Sequence, residues 1–219
     1  RSIVNSMSIL RTNQIQDTGT NVAANISGGV VTFPNKPIGA SAVDIIANST
    51  TAVSGSATQD IALSTDTNYL MQQIILYDVL SSSDADLYMF LRTTGGSFRN
   101  SSNDYKWNVM ERVMGVAANG TGSNGDSKIR LNWYGVGTTD DERCIFTFNF
   151  YHVGDSARRT TIGWNGIGNA STGHPVVREG VAKVQTAESN DRIQLSMNAA
   201  NIAFSGYVHY GYRRALWVY

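Results

Sequence analysis

The residues of this chain that could perform chemistry are few, and the most obvious ones are carboxylates. Two acidic clusters stand out, Asp140-Asp141-Glu142 and Asp84-Ala85-Asp86. Paired carboxylates are the groups that hydrolyse glycosidic bonds when the fold holds them at the right separation. Both clusters lie in turn-like segments, where Asp commonly caps backbone groups. Turn capping is therefore the favoured interpretation, and glycoside hydrolysis is the alternative.

A glycine-rich segment, residues 120–125, matches the spacing G-x-G-x-x-G. This spacing binds a dinucleotide only where a strand precedes it and a helix follows it. Here residues 129–133 begin another strand, so we expect a flexible hairpin loop and reject nucleotide binding. The serines have no G-x-S-x-G context, so acyl transfer has no support either.

Histidine and cysteine provide no metal-binding pattern. His152, His174 and His209 lack metal-ligand spacing, and Cys144 is the single cysteine. We interpret each histidine as an ordinary polar side chain and Cys144 as a buried small hydrophobic residue. The sequence leaves open a metal that bridges subunits on a threefold axis. One histidine from each chain would then be enough to provide three ligands. The sequence predicts no catalytic residue, no cofactor and no metal site within one chain.

Aromatic side chains are the better candidates for ligand contact. Four tryptophans and ten tyrosines exceed what turns require, and most belong to the core because one aromatic ring buries a large area. Some border Asn- and Gly-rich segments, where aromatic rings often stack on sugars. The candidate glycan-binding residues are Tyr105, Trp133, Tyr134 and Trp164.

The charge balance excludes several classes of partner. Seventeen Lys and Arg residues equal seventeen Asp and Glu residues, so no net field attracts nucleic acid or an anionic membrane. No apolar run is long enough to span a membrane, and no signal-peptide pattern is present. Charged residues make up only 16% of the chain, a composition that favours self-association.

The elements that must position these residues are β-strands. Cys144, Phe146, Phe148 and Phe150 alternate with Ile145, Thr147 and Asn149, and such a period of two is typical of a strand with one buried face. The alternation returns in Ile193, Leu195 and Met197, which we expect to face the same core. It returns again in the last strand, where Val208, Tyr210, Tyr212, Leu216 and Val218 share one parity.

Strands at this spacing, separated by Gly- and Asn-rich turns such as Asn165-Gly166, predict an all-β, jelly-roll-like β-sandwich. The expected strands lie near residues 58–63, 69–79, 86–92, 105–115, 129–134, 143–151, 159–164, 180–186, 191–197 and 206–218, with a possible strand at 43–46.

Residues 1–40 differ from the rest of the chain. They contain two of the three prolines, no Trp or Tyr, and too few aliphatic residues to close a core alone. Within them, residues 26–33 predict a short β-element entered through a Gly-Gly turn. We therefore expect an assembly segment at 1–40 and a sandwich domain at 41–219. In the assembly segment Ile26, Val30 and Phe33 would meet their own copies near a threefold axis.

Six segments have a recognisable order of turns and apolar positions: residues 58–63, 69–76, 86–98, 105–107, 191–195 and 201–211. Together they resemble a β-sandwich module of tailed bacteriophages, found at the ends of tail fibres and other virion appendages, especially in phages of marine bacteria and cyanobacteria. Residues 201–211 resemble the family's closing G-N-I-A-x-G turn and final strand. The resemblance covers residues 58–219, with a weaker match at 10–37, and residues 213–219 continue past the usual terminal strand.

The resemblance implies a structural virion protein without enzymatic activity. We expect a homotrimer that is made in the host cytoplasm, incorporated in the virion and joined to other tail or capsid proteins. Three alternatives stay open: a glycan-binding, receptor-recognition lectin domain, a capsid fibre or decoration protein, and a polysaccharide depolymerase.

Overall fold

A computed structural model describes residues 43–170 and 173–213 with their side chains, and the backbone of three short strands at residues 14–16, 22–27 and 30–32. The chain divides into two compact units. The first comprises Arg1–Ala42 with Ala215–Tyr219, and the second comprises Val43–Arg214. The boundary between residues 42 and 43 lies two residues from the one expected from the sequence.

The N-terminal unit contains a three-stranded antiparallel sheet. Its strands are β1 (Gln14–Gln16), β2 (Val22–Ser27) and β3 (Val30–Thr32), with β2 in the middle. Ser27 of β2 lies opposite Val30 of β3, so only two residues separate these strands. The predicted β-element at this place is confirmed. Of the candidate assembly residues, Ile26 and Val30 belong to β2 and β3, and Phe33 lies outside the described residues.

The second unit is built almost entirely from antiparallel strands, as the sequence predicts. Its strands are β4 (Val43–Ser49), β5 (Val53–Ser56), β6 (Thr58–Ala62), β7 (Tyr69–Ser81), β8 (Leu87–Thr93), β9 (Tyr105–Val113), β10 (Asn119–Asp126), β11 (Ile129–Arg130), β12 (Cys144–Tyr151), β13 (Thr161–Asn169), β14 (Pro175–Val184), β15 (Asn190–Met197), β16 (Ile202–Phe204) and β17 (Gly206–Arg213). A 3-10 turn, Asp140–Glu142, precedes β12.

These strands form two sheets that enclose one core. The larger sheet has the order β10-β9-β14-β13-β12-β7-β17-β4, and β16 and β5 extend it from the far end of β7. The smaller sheet has the order β11-β8-β15-β6. The fold is an all-β sandwich, and its finer jelly-roll topology stays a prediction.

The inner face of the larger sheet carries the predicted aromatic stripe. Phe146, Phe148 and Phe150 are completely buried, and the first two rings are stacked with centroids 5.9 Å apart. Ile193 and Leu195 of the smaller sheet belong to the same hydrophobic core. The expectation that both sets of residues share one core is confirmed. The full sets are Cys144, Phe146, Phe148 and Phe150 on β12, and Ile193, Leu195 and Met197 on β15.

A bulge in β7 keeps the long central strand facing the core. Phe146 lies opposite Leu76, but Cys144 lies opposite Val79, so two residues of β7 face one residue of β12. The backbone accommodates the extra residue at Asp78, whose φ of 56° is left-handed, as bulges often require. The shift returns Val79 to the inner face, where it is fully buried.

Two sequence interpretations based on glycine are wrong. Residues 120–125 belong to the edge strand β10, and the Asn165-Gly166 pair lies within β13 and makes no turn. The reason at Gly166 is packing, since a Cβ atom there would lie 2.7 Å from the ring of Phe146. Glycine in a strand often marks such a close approach. In β10 the hydrogen-bond pairing with β9 overrides the low strand propensity of glycine.

Val208, Tyr210 and Tyr212 lie on one side of β17, as their shared parity predicts, but this side is not the buried one. His209 and Gly211 face the core of the sandwich, while Val208, Tyr210 and Tyr212 are half-buried on the opposite side. A Cβ atom at Gly211 would lie 2.4 Å from the ring of Tyr69, so this position is small because an aromatic neighbour fills the space. Leu216 and Val218 lie outside the described residues.

Candidate functional site

Tyr105 is a core residue and cannot contact a glycan. Its side chain is completely buried. The phenol oxygen accepts a hydrogen bond from the Leu91 backbone N–H at 2.9 Å and donates one to the Arg99 carbonyl at 3.0 Å. Burial raises the pKa of the Tyr105 phenol. The hydroxyl therefore joins β9 to the smaller sheet, and the predicted sugar-stacking role is wrong because the ring is not accessible.

Trp164 is also part of the core. It is only 4% exposed, and its indole N–H donates to the Leu131 carbonyl at 3.0 Å. Its ring fills the space left by Gly180 on the neighbouring strand, where a Cβ atom would lie 2.1 Å from it. The predicted glycan contact of Trp164 is wrong for the same reason as that of Tyr105.

Trp133 and Tyr134 remain near the surface. Trp133 is 37% exposed, and the Arg130 guanidinium lies over its ring at 5.1 Å from the centroid. Arg130 is held in turn by Asp86 at 2.8 Å. The Tyr134 hydroxyl accepts a hydrogen bond from the Asn119 amide at 2.6 Å. Only these two of the four candidate rings are available to a ligand, and their role stays a prediction.

Two carboxylates of the Asp140-Asp141-Glu142 cluster make structural contacts. Glu142 accepts hydrogen bonds from the backbone N–H groups of Thr139 and Thr138 at 3.0 and 2.8 Å, and these bonds lower the pKa of its carboxyl. Asp140 forms an ion pair with Arg143 at 2.7 Å. The capping interpretation is confirmed at Glu142, and the geometry offers no support for a hydrolytic carboxylate pair in this cluster.

The histidines do not form a metal site within the described part of the chain. No group of three potential ligand side chains occurs there. His209 is fully buried, and its Nε2–H donates to Gln72 Oε1 at 3.0 Å. Burial lowers the pKa of His209 to about 4. His209 is therefore a neutral residue inside the fold.

A buried ion pair on the inner face escaped the sequence analysis. Arg178 and Glu111 are both fully buried, and Arg178 Nε lies 2.8 Å from Glu111 Oε1. Arg178 also reaches Cys144 Sγ at 3.0 Å and the Gly135 carbonyl at 3.2 Å, while Glu111 accepts from the Tyr134 N–H at 2.7 Å. Burial nevertheless raises the pKa of the Cys144 thiol.

This network joins three strands and a loop inside the molecule, where no substrate can reach it. The alternation of residues in β9 could have revealed this ion pair, since Glu111 falls on the same buried side of β9 as Tyr105 and Val109. A charge at a core position requires a partner. Because the pair is enclosed, its role is structural.

The accessible surface of interest is the outer face of the larger sheet. At one end of this face Tyr77, Ile145 and Ile167 lie side by side on β7, β12 and β13, and we call them the apolar row. Ile145 is directly opposite Ile167, and Tyr77 belongs to the bulge that faces Ile145. They are 38%, 46% and 59% exposed. Three adjacent exposed apolar side chains on a flat sheet are suited to contact with another protein surface.

The same face carries an open depression across β9, β14 and β13. Two adjoining hollows of about 630 and 290 Å³ share Asn108 and Val181 in their lining, and we call them together the outer groove. Gly163 lines the larger hollow, and Lys106 and Lys183 line the smaller one. The outer face therefore carries an exposed apolar row and an open groove whose largely apolar lining also bears charged and amide side chains.

Comparisons with known proteins provide no relative. No helix among the described residues is long and apolar enough to cross a membrane. No protein-family model matches the sequence, and no curated protein or solved structure resembles it significantly. The geometry of the outer face must therefore carry the functional argument.

Proposed function

We propose that this chain is a structural virion protein of a tailed bacteriophage, without enzymatic activity. It is a tail-fibre or appendage subunit that assembles as a homotrimer, and it joins other tail or capsid proteins in the virion. The observation that supports this proposal best is the apolar row, because the free energy decreases when another protein covers such a surface. The all-β fold and the resemblance of residues 58–219 to phage appendage modules agree with it.

The chain itself is the proposed partner for this surface. Its formal net charge is zero, so copies do not repel one another, and the row consists of uncharged side chains. The N-terminal sheet supports the same idea, since it has only three strands, of three, six and three residues, which is the smallest number that allows independent stability. In the trimer Ile26, Val30 and Phe33 would meet their copies. The number three follows from the phage resemblance.

Light scattering on the full chain tests this proposal. We expect a trimer at micromolar concentration, and a shift to monomers when Ile145→Lys and Ile167→Lys are combined. Val116→Lys is the matched control, because Val116 is 50% exposed but lies in the loop after β9. A monomeric full chain would refute the homotrimer. Trimers of the double variant would exclude the apolar row as the interface.

Removal of residues 1–42 tests the N-terminal contribution separately. If this segment is an assembly element, trimers of the shortened chain should dissociate at a higher protein concentration than trimers of the full chain. Unchanged trimer stability would assign assembly to the sandwich alone and would contradict the proposed role of Ile26, Val30 and Phe33.

A second candidate function is glycan binding by a receptor-recognition domain. The exposure of Trp133 beside Arg130 favours it. A capsid fibre or decoration protein would have the same fold and the same self-association, and would differ in the virion component to which it attaches. The jelly-roll topology belongs to this proposal as well. Glycan arrays would test the first alternative, and a density map of the virion would test the second.

A further inference from the structure

Gly163 in the outer groove has no structural reason to be glycine. Its backbone does not adopt a left-handed conformation, and a Cβ atom built on it would meet nothing within 4 Å. Its neighbours in the sheet differ, since a Cβ atom at Gly166 or Gly180 would collide with a core aromatic ring. Glycine weakens a strand interior unless a close approach requires it. The missing side chain at Gly163 keeps the larger hollow open.

Two lysines in the adjoining hollow also lack a structural reason. Lys106 and Lys183 are directly opposite each other on β9 and β14, where like charges destabilise a sheet. Neither ammonium group forms an ion pair with a carboxylate among the described residues. An anionic group bound between them would turn this repulsion into attraction.

The remaining lining suits a sugar chain. The side-chain amides of Asn108 and Asn165 form no hydrogen bond with the described residues, and each offers both a donor and an acceptor. A sugar hydroxyl both donates and accepts hydrogen bonds, so it needs a partner of each kind. Val181 lies between the two hollows and is 55% exposed, so it offers an apolar contact for the C–H face of a ring.

We propose that the outer groove binds an acidic polysaccharide. A uronate carboxylate lies between Lys106 and Lys183, and the hydroxyls of the neighbouring sugars bond to Asn108 and Asn165 over Gly163. This inference deepens the host-contact alternative of the proposed function and rests on it. A nucleic acid fits less well, because the only arginine that lines the groove, Arg112, is paired with Glu179 at 3.1 Å and is not free to bind a phosphate.

Calorimetric titration of the full chain with alginate oligosaccharides tests the charged part of the groove. We expect binding to alginate and none to neutral cello-oligosaccharides. Combining Lys106→Gln with Lys183→Gln should weaken binding at least tenfold. The matched control combines Lys128→Gln with Arg159→Gln, which removes two positive charges outside the groove and should leave the affinity unchanged. Equal losses in both variants, or equal binding of polyglutamate or DNA, would overturn the proposal, as would the absence of alginate binding.

Gly163→Val tests the floor of the groove in the same titration. The valine side chain would project into the larger hollow, so alginate binding should be lost while the melting temperature stays the same or rises. Retained affinity would overturn the proposal. Light scattering on the same samples distinguishes this inference from the assembly proposal, because trimers that fail to bind alginate contradict only the groove, and monomers that bind it contradict only the trimer.

Discussion

The two faces of the larger sheet follow different rules, although the same strands build both. On the inner face packing explains the residues of the aromatic stripe and its neighbours: Phe148 is fully buried, and Gly166 is glycine because the ring of Phe146 occupies the space of a side chain. On the outer face Gly163 borders open space, only three residues from Gly166 on the same strand. A residue whose identity is explained by packing is informative about the fold. A residue that destabilises its strand and has no packing explanation indicates a binding partner.

The largest expected effect is on the inner face. Phe148→Ala should lower the free energy of unfolding by about 4 kcal/mol, because it removes a buried ring and leaves a cavity. Tyr151→Ala is the control, since this residue is on the same strand, faces outward and is 40% exposed; its effect should be below about 1 kcal/mol. Chemical denaturation measures both. Similar losses for the two variants would show that the inner and outer faces are assigned wrongly.

The next effect concerns the charge within the inner face. Arg178→Met should cost about 3 kcal/mol, because it leaves the Glu111 carboxylate buried without its ion-pair partner. Combining Arg178→Met with Glu111→Leu should recover part of the loss, since no charge then remains buried. Denaturant unfolding of the two single variants and the double variant measures this coupling. Strictly additive losses would contradict it.

The pH dependence of stability provides a third comparison. The folded-state pKa of His209 is about 4, below the usual unfolded value of about 6.5, so the unfolded chain binds a proton first as the pH falls. The stability from neutral His209 is fully present above pH 6.5 and is lost as the pH decreases toward 4. We expect a loss of about 2 kcal/mol between pH 7 and pH 5.

Thermal unfolding across this pH range measures the effect of His209. His209→Gln should flatten the profile between pH 7 and pH 5, because a glutamine amide does not titrate in this range. A profile that is unchanged by His209→Gln would assign the titration to other groups.

The smallest effect tests the contrast between the two glycines of β13. Gly163→Ala should stabilise the protein by about 0.5–1 kcal/mol, because alanine restricts the unfolded chain and meets no neighbour. Gly166→Ala should destabilise it by about 1–3 kcal/mol, because its Cβ atom would lie 2.7 Å from the Phe146 ring. Melting temperatures of the two variants give the comparison. The same sign of change in both would remove the distinction between the faces.

Several features could be predicted from the sequence because their cause is local. The alternation in residues 144–150 indicates a strand with one buried face whatever its neighbours are. The short β-element in residues 26–33 follows from its turn residues. The burial of Cys144 follows from its place in an apolar stripe. The candidate glycan residues Tyr105 and Trp164 were wrong because bordering a polar loop does not reveal which side of the sheet a ring faces.

Other features were decided only by the tertiary structure. Glu111 and Arg178 are 67 positions apart and meet because β9 and β14 pair in one register. His209 and Gly211 face inward because β17 pairs with β7 in a register that lays the Tyr69 ring over Gly211. A period of two defines two faces of a strand, but the choice between them depends on pairing and on the space that distant side chains leave. The sequence alone therefore determined the periodicity of the principal strands, whereas the pairing and packing of the two sheets made a strand of β10 and decided which residues became core and which remained available to a partner.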